Sequence, residues 1–105
     1  MITISTHVLD TSIGQPAAYI QVHLFSGDRK IASGVTNADG RCPSLVPSGV
    51  SLTPGVYRIV FDTGERFPNG FYPEVNITFT VRDLSAHYHV PLLISPFGFT
   101  TYRGS

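Results

Sequence analysis

The stretch from Val75 to Val81, VNITFTV, alternates without a break: four apolar residues interleave with Asn76, Thr78 and Thr80. A strand turns successive side chains to opposite faces, so this period fits one buried face and one wet face, and no helix. The same pattern recurs along the chain in short runs. Ile2, Ile4 and Val8 share a face, interrupted by Thr6, against Thr3, Ser5 and His7. Ala18, Ile20, Val22 and Leu24 oppose Tyr19, Gln21, His23 and Phe25. Tyr57, Ile59 and Phe61 oppose Val56, Arg58 and Val60. Tyr88, Val90, Leu92 and Ile94 form a core face opposite His87, His89, Pro91 and Leu93.

The joints carry turn chemistry. Ser26-Gly27-Asp28 leads into a weaker strand, Lys30 to Val35. Asn37-Ala38-Asp39-Gly40 is a strong turn, because Asn, Asp and Gly tolerate left-handed backbone that other residues resist. A short strand or edge piece is expected around Ser44 to Val46, and Pro47 to Pro54 is too rich in Pro, Ser and Gly for a regular element. Ser95-Pro96-Phe97-Gly98 turns the chain into a last extended run, Phe99 to Tyr102. Thr63 to Tyr72 is the one candidate for a helical turn, and Pro68-Asn69-Gly70 interrupts it. Roughly six to eight short strands with turn-rich joints predict an all-β antiparallel sandwich. At 105 residues, it is expected to form one domain over 1–105.

Composition narrows the partners. Seven basic and seven acidic residues cancel, with no charge run, so neither a nucleic acid nor a membrane surface is expected as partner. Hydrophobic residues make up 42% of the chain, and a mean hydropathy of +0.13 is high for so small a protein. Part of that apolar surface is therefore expected to be covered by another subunit. The single Cys42 rules out an intrachain disulfide and fits a reducing compartment; its plain reading is a small hydrophobe beside a turn. Apolar stretches are far too short to span a bilayer, and no signal peptide is evident. Asn76-Ile77-Thr78 fits a glycosylation acceptor, but inside a strand it reads as chance.

The candidate chemistry gathers at both ends and one bend. His7 and His89 each stand on the face opposite their strand's apolar residues, so both leave the core. If the two strands are neighbours, the imidazoles meet on one outer sheet face. His87 shares that face, about 7 Å from His89 along the strand. Arg41 follows the Asp39-Gly40 turn, and the chain closes on Tyr102-Arg103-Gly104-Ser105. His23 has no motif around it and reads as structural or solvated.

The opening STHVLDTSIGQPA, the middle TNADGR and the closing HYHVPLL with its YRGS tail resemble the transthyretin-like family of 5-hydroxyisourate hydrolases over nearly the whole chain. The resemblance implies a sandwich of two four-stranded sheets with one short helix, here reduced or absent in TGERFPNGFYPE. It implies hydrolysis of 5-hydroxyisourate, the product of urate oxidation, to 2-oxo-4-hydroxy-4-carboxy-5-ureidoimidazoline by opening a cyclic amide. His7, Arg41, His89 and Ser105 align with the family's catalytic site. His7, Arg41, Tyr102 and Arg103 are the substrate-binding candidates, and His87 aligns with a less directly involved histidine. The resemblance also implies a homotetramer, a dimer of dimers, with sites in the channel between dimers; a cytoplasmic location is expected, with peroxisome and periplasm left open.

These side chains suit the reaction. A hydrolytic water needs a base, and neutral imidazole is the unmodified side chain with a pKa near the working pH, about 6.5. His7 and His89 can share that work, and the sequence does not say which takes the proton. Arg41 offers a permanent cation and a donor fork for an oxyanion or the ring carbonyls. Tyr102 can stack on or hydrogen-bond a flat heterocycle. Ser105 brings a hydroxyl and, as last residue of this sequence, a carboxylate. No cofactor or metal is needed.

Two rivals differ in class. His7, His87 and His89 offer three nitrogens to a catalytic zinc, but without a flanking carboxylate in sequence. A non-catalytic transthyretin-like carrier of small ligands would use the same fold, and fold does not fix function. A carrier needs an apolar channel, whereas paired polar-face histidines and the YRGS tail point to the enzyme. A purely structural sandwich leaves those features unexplained.

Overall fold

The computed structural model describes residues 1–105. Nine strands occur in order: β1 (Thr3–Asp10), β2 (Gln15–Pro16), β3 (Gln21–Ser26), β4 (Arg29–Val35), β5 (Arg41–Cys42), β6 (Gly55–Phe61), β7 (Val75–Val81), β8 (His87–Ser95) and β9 (Gly98–Thr101). One 3-10 turn, Thr63–Glu65, is all that the helical candidate becomes. The expected two-sheet sandwich is present. One sheet runs β4-β3-β6-β7, antiparallel throughout. The other runs β2-β1-β8-β9, with β5 pairing β1 beside β2, so it holds five strands rather than four, two of them two residues long.

One pair departs from the antiparallel pattern. β1 and β8 run parallel in register from Thr3 opposite His87 to Asp10 opposite Ile94. The chain builds the whole second sheet between these two strands, and a long connection of this kind makes parallel pairing reachable where a tight hairpin cannot. This pair brings the first and last quarters of the sequence together.

The alternation of the sequence becomes the core. Ile2, Ile4, Val8, Val90, Leu92 and Ile94 pack from one sheet against Val22, Leu24, Ile59, Phe61, Val75 and Val81 from the other. Each such side chain contributes ~2 kcal/mol by leaving water. Thr6, the polar break in that face, is buried without cost because its hydroxyl donates to the Val90 carbonyl at 2.6 Å. Cys42 is buried, and burial pushes its thiol pKa up, as expected of an inert hydrophobe.

Several boundaries differ from the sequence reading. The edge piece expected at Ser44 to Val46 falls instead at Arg41–Cys42: Pro43 has no N–H to extend the ladder, and only the Leu45 amide still reaches β1, at the Ile4 carbonyl. The second run begins at Gln21, because Tyr19 takes a left-handed φ of 63° and Thr36 replaces the ladder. The Thr36 hydroxyl accepts from the Ile20 amide and donates to the Ala17 carbonyl, both at 2.8 Å. The last strand starts at Gly98, one residue early.

Candidate active site

The parallel register of β1 on β8 sets out the polar face. Ser5 lies opposite His89, Thr3 opposite His87, and His7 opposite Pro91. On the other side of β1, β5 pairs antiparallel and puts Arg41 opposite His7. Arg41 is held there by its turn. The Asn37 side-chain oxygen accepts from the Asp39 amide at 2.9 Å and the Arg41 amide at 3.0 Å. Gly40 has a φ of 73°, its carbonyl accepts from the Val8 amide at 2.7 Å, and a β-carbon there would collide with the Val8 carbonyl.

The chain's end returns to the same place. Gly104 forms a bridge to His89, its amide donating to the His89 carbonyl at 2.9 Å. Ser5, Thr6, Arg41, Pro43, His87, His89 and Ser105 thereby line one open cavity of about 330 Å³ with no hydrophobic residue in its wall. Residues from both termini and from a mid-chain bend surround one polar space.

The histidines are fixed by specific partners. His7 bonds through Nε2 to the Asp39 carbonyl at 2.9 Å; a carbonyl only accepts, so Nε2 donates, and Nδ1 is not engaged in this bond. His89 Nδ1 bonds to the Ser5 hydroxyl at 2.7 Å, and the same hydroxyl bonds to His87 Nε2 at 2.8 Å. His87 Nδ1 meets the Thr3 hydroxyl. The pKa of His89 lies below the usual 6.5: burial disfavours its cation, and Arg41, His87 and His7 add like charge. A neutral imidazole at neutral pH results.

Arg41 is exposed, and the ion pairs of the chain are His23 with Asp62 and Asp10 with Arg66, so its guanidinium has no carboxylate counter-ion. It is left for an anion or carbonyl from outside. No group of three or more His, Cys, Asp or Glu side chains is spaced to hold a metal ion, and the nitrogens of His87 are both turned to hydroxyls. That geometry does not favour the zinc scheme. His23 is a structural bridge, with Ser33 and Asp62 each at 3.0 Å.

Tyr102 and Arg103 do not line the polar cavity. They line an adjoining, mostly apolar one of about 250 Å³ with Ile77, Phe79, Tyr88 and Val90, and His89 stands in the walls of both. The Arg103 guanidinium lies 4.8 Å over the Tyr88 ring, so the tail bends between residues 103 and 105 and only Ser105 enters the polar space. Ser5 was not among the residues singled out from sequence. A serine on the polar face of a strand carries no periodic signal, and only the register with β8 reveals its two imidazole partners.

Comparison with known proteins identifies relatives of the whole chain. A family model described as the HIUase/Transthyretin family matches residues 4–104. The chain is 42% identical over 112 residues to the 5-hydroxyisourate hydrolase of Mus musculus, covering 97% of this chain and 94% of that one. It is 43% identical over 119 residues to the uric acid degradation bifunctional protein TTL of Arabidopsis thaliana, covering 97% of this chain; it spans only 37% of that longer protein. The structure of Klebsiella pneumoniae 5-hydroxyisourate hydrolase superposes with a TM-score of 0.89 at 38% identity, over 98% of this chain and 99% of the other. Sea bream transthyretin in complex with thyroxine superposes with a TM-score of 0.85 at 30% identity, over 96% and 93%.

Proposed function

The chain belongs to the HIUase/transthyretin family, and we propose that it is an enzyme of urate degradation that hydrolyses 5-hydroxyisourate to 2-oxo-4-hydroxy-4-carboxy-5-ureidoimidazoline. The observation that carries this reading is the polar cavity that joins Arg41, His89 and Ser105. Its walls suit a ring rich in carbonyl and N–H groups. They do not suit an apolar ligand, and the carrier alternative is not favoured.

In the proposed reaction a water adds to the cyclic amide carbonyl, the C–N bond breaks, and a carboxylate and an N–H are left. His89, neutral and cradled by Ser5, takes the proton from water; His7, held through Nε2 by the Asp39 carbonyl, orients the water or substrate. Arg41 holds the oxyanion of the tetrahedral intermediate. Ser105 closes the cavity and orients the ring. Tyr102, exposed in the adjoining cavity that His89 also lines, offers a flat face to the heterocycle from that side, while Arg103 keeps to Tyr88 and fixes the tail's path.

The cavity is open, and a small ligand needs a concave, enclosed site. A second copy facing it across a two-fold axis would supply the missing wall, in keeping with a homotetramer built as a dimer of dimers. The single unpaired cysteine fits work in a reducing compartment such as the cytoplasm. The experiment is direct: generate 5-hydroxyisourate from urate with a urate oxidase and follow its ultraviolet absorbance. Catalytic amounts of this protein should speed the decay well beyond the spontaneous rate. An unchanged decay would refute the reading, and a fully active monomer would refute the shared cavity.

A further inference from the structure

Hydrolysis of an amide at neutral pH leaves a proton over. Water gives one proton to the departing nitrogen, and the new carboxylic acid, with a pKa near 4, loses the other. One proton per turnover must therefore leave the site. The pocket-facing base, His89, is half-buried, and its charged form is disfavoured by Arg41, His7 and His87 around it. A proton held on His89 raises the cost of the next cycle, so a route away from it matters.

The structure contains one continuous chain of hydrogen-bonding groups leading from His89 to solvent. His89 Nδ1 meets Ser5 Oγ at 2.7 Å, Ser5 Oγ meets His87 Nε2 at 2.8 Å, and His87 Nδ1 meets the Thr3 hydroxyl. Ser5 is buried at 7% exposure, so water does not replace it as the link, whereas His87 and Thr3 are exposed. An imidazole has two nitrogens, a hydroxyl both donates and accepts, and so the chain is complete in either direction. In one, His89 Nδ1–H donates to Ser5, Ser5 donates to His87 Nε2, and His89 Nε2 is a bare base. In the other every bond is reversed, and His89 Nε2–H is an acid.

We propose that Ser5 and His87 form the proton exit of the reaction, acting through His89. When His89 Nε2 takes a proton from water or from the nascent acid, the Nδ1 proton moves to Ser5 and the Ser5 proton moves to His87 Nε2. His87, now cationic, releases its Nδ1 proton to bulk solvent. No charge accumulates beside Arg41: the second proton of the attacking water passes through the tetrahedral intermediate to the departing nitrogen. After product leaves, His89 Nε2–H goes to solvent while His87 Nδ1 takes a proton from solvent and the three bonds reverse. One proton per turnover has then left, and Nε2 is again a base. This role rests on the hydrolase reading and assigns a task to two residues of the cavity wall that the proposed bond-making and bond-breaking steps leave without one.

The test uses the intact protein in dilute, weakly basic buffer, so that solvent buffer cannot carry the proton. His87→Ala should lower kcat about tenfold while KM changes little, since His87, although in the cavity wall, turns both ring nitrogens to the Ser5 and Thr3 hydroxyls. Added imidazole should restore its kcat saturably and leave the unaltered protein unaffected, after subtraction of spontaneous decay. Ser5→Ala should lose kcat with no imidazole rescue, because the break lies inside the wall, whereas Ser5→Thr keeps the hydroxyl and most of the rate. An unchanged kcat in His87→Ala, or a loss that imidazole does not restore, overturns the exit. Absence of activity in the unaltered protein would instead sink the hydrolase reading itself, so the two failures are distinguishable.

Discussion

The Gly104 amide donates to the His89 carbonyl at 2.9 Å, and the two residues are so close that a β-carbon on Gly104 would lie 2.5 Å from Cδ2 of the His89 ring. The tail thus rests on the base proposed for the reaction, and no side chain fits between them. It also explains how Ser105, at the end of the sequence, reaches a cavity built on β1 and β8.

Gly104→Ala should therefore strike activity and spare the fold. Either the imidazole rotates off the Ser5 hydroxyl or the tail lifts and withdraws Ser105. A displacement of that size costs about 10²-fold in turnover when it misaligns a reacting group. Gly104 lies outside the apolar core, so the melting temperature should barely change. Steady-state hydrolysis beside thermal unfolding checks both halves, and wild-type turnover would contradict the tail's role.

His7→Ala, Arg41→Ala and His89→Ala should each lower turnover by ~10²-fold or more, the range for a lost general base or oxyanion donor. All three side chains stand off the core face, so their folded states should persist by circular dichroism. Arg41→Ala is the sharpest of the three, because its guanidinium has no internal counter-ion to strand. A variant retaining full rate would remove that residue from the site.

The pH profile follows from the position of His89. Burial, then the charges of Arg41, His87 and His7, hold its pKa below 6.5. A base works in its neutral form, so kcat/KM should stay level through neutrality and fall only at pH values under 6.5. The same depression acts on the fold. Because the folded state resists the imidazolium, stability drops as pH falls from 6.5 toward the lower folded value. An acid limb centred above 6.5 would contradict the environment described for His89.

How far the sequence carried depends on whether a feature is local. The faces of β1, β3, β6, β7 and β8 were legible because period-two alternation is written residue by residue, and so was the exit of His7 and His89 from the core. The turn at Asn37 to Gly40 was legible for the same reason, since its geometry is set by its own residues. Pairing was not. That β1 lies parallel on β8, and that Arg41 and Cys42 rather than Ser44 to Val46 form the short rung, depends on hydrogen bonds between distant segments. Ser5 belongs to this second class: its two imidazole bonds exist only in the register with β8. The bend that sends Arg103 to Tyr88 and Ser105 to the cavity is likewise a tertiary contact, invisible in the letters YRGS.

The last prediction concerns stability away from the chemistry. Asp10 ends β1 with its carboxylate buried, and Arg66, just after the 3-10 turn, donates through Nε to Oδ2 at 2.7 Å. Its other oxygen accepts from the Ser12 amide at 2.9 Å and from the Ser12 hydroxyl. Burial alone would raise the Asp10 pKa, but the bonds from Ser12 and Arg66 outweigh it and leave the value below the ordinary 3.8. A carboxyl with a depressed folded pKa contributes stability that is present above 3.8 and lost as pH falls through the folded value. Asp10→Asn removes the charge, strands the guanidinium and turns an amide toward it, which should cost about 3 kcal/mol in urea unfolding at neutral pH. Pairing it with Arg66→Met should recover part of that loss, because the cation is then no longer left alone in a half-buried place. If Asp10→Asn unfolds at the wild-type urea midpoint, the clasp between β1 and the 3-10 turn contributes nothing and this account of it is wrong.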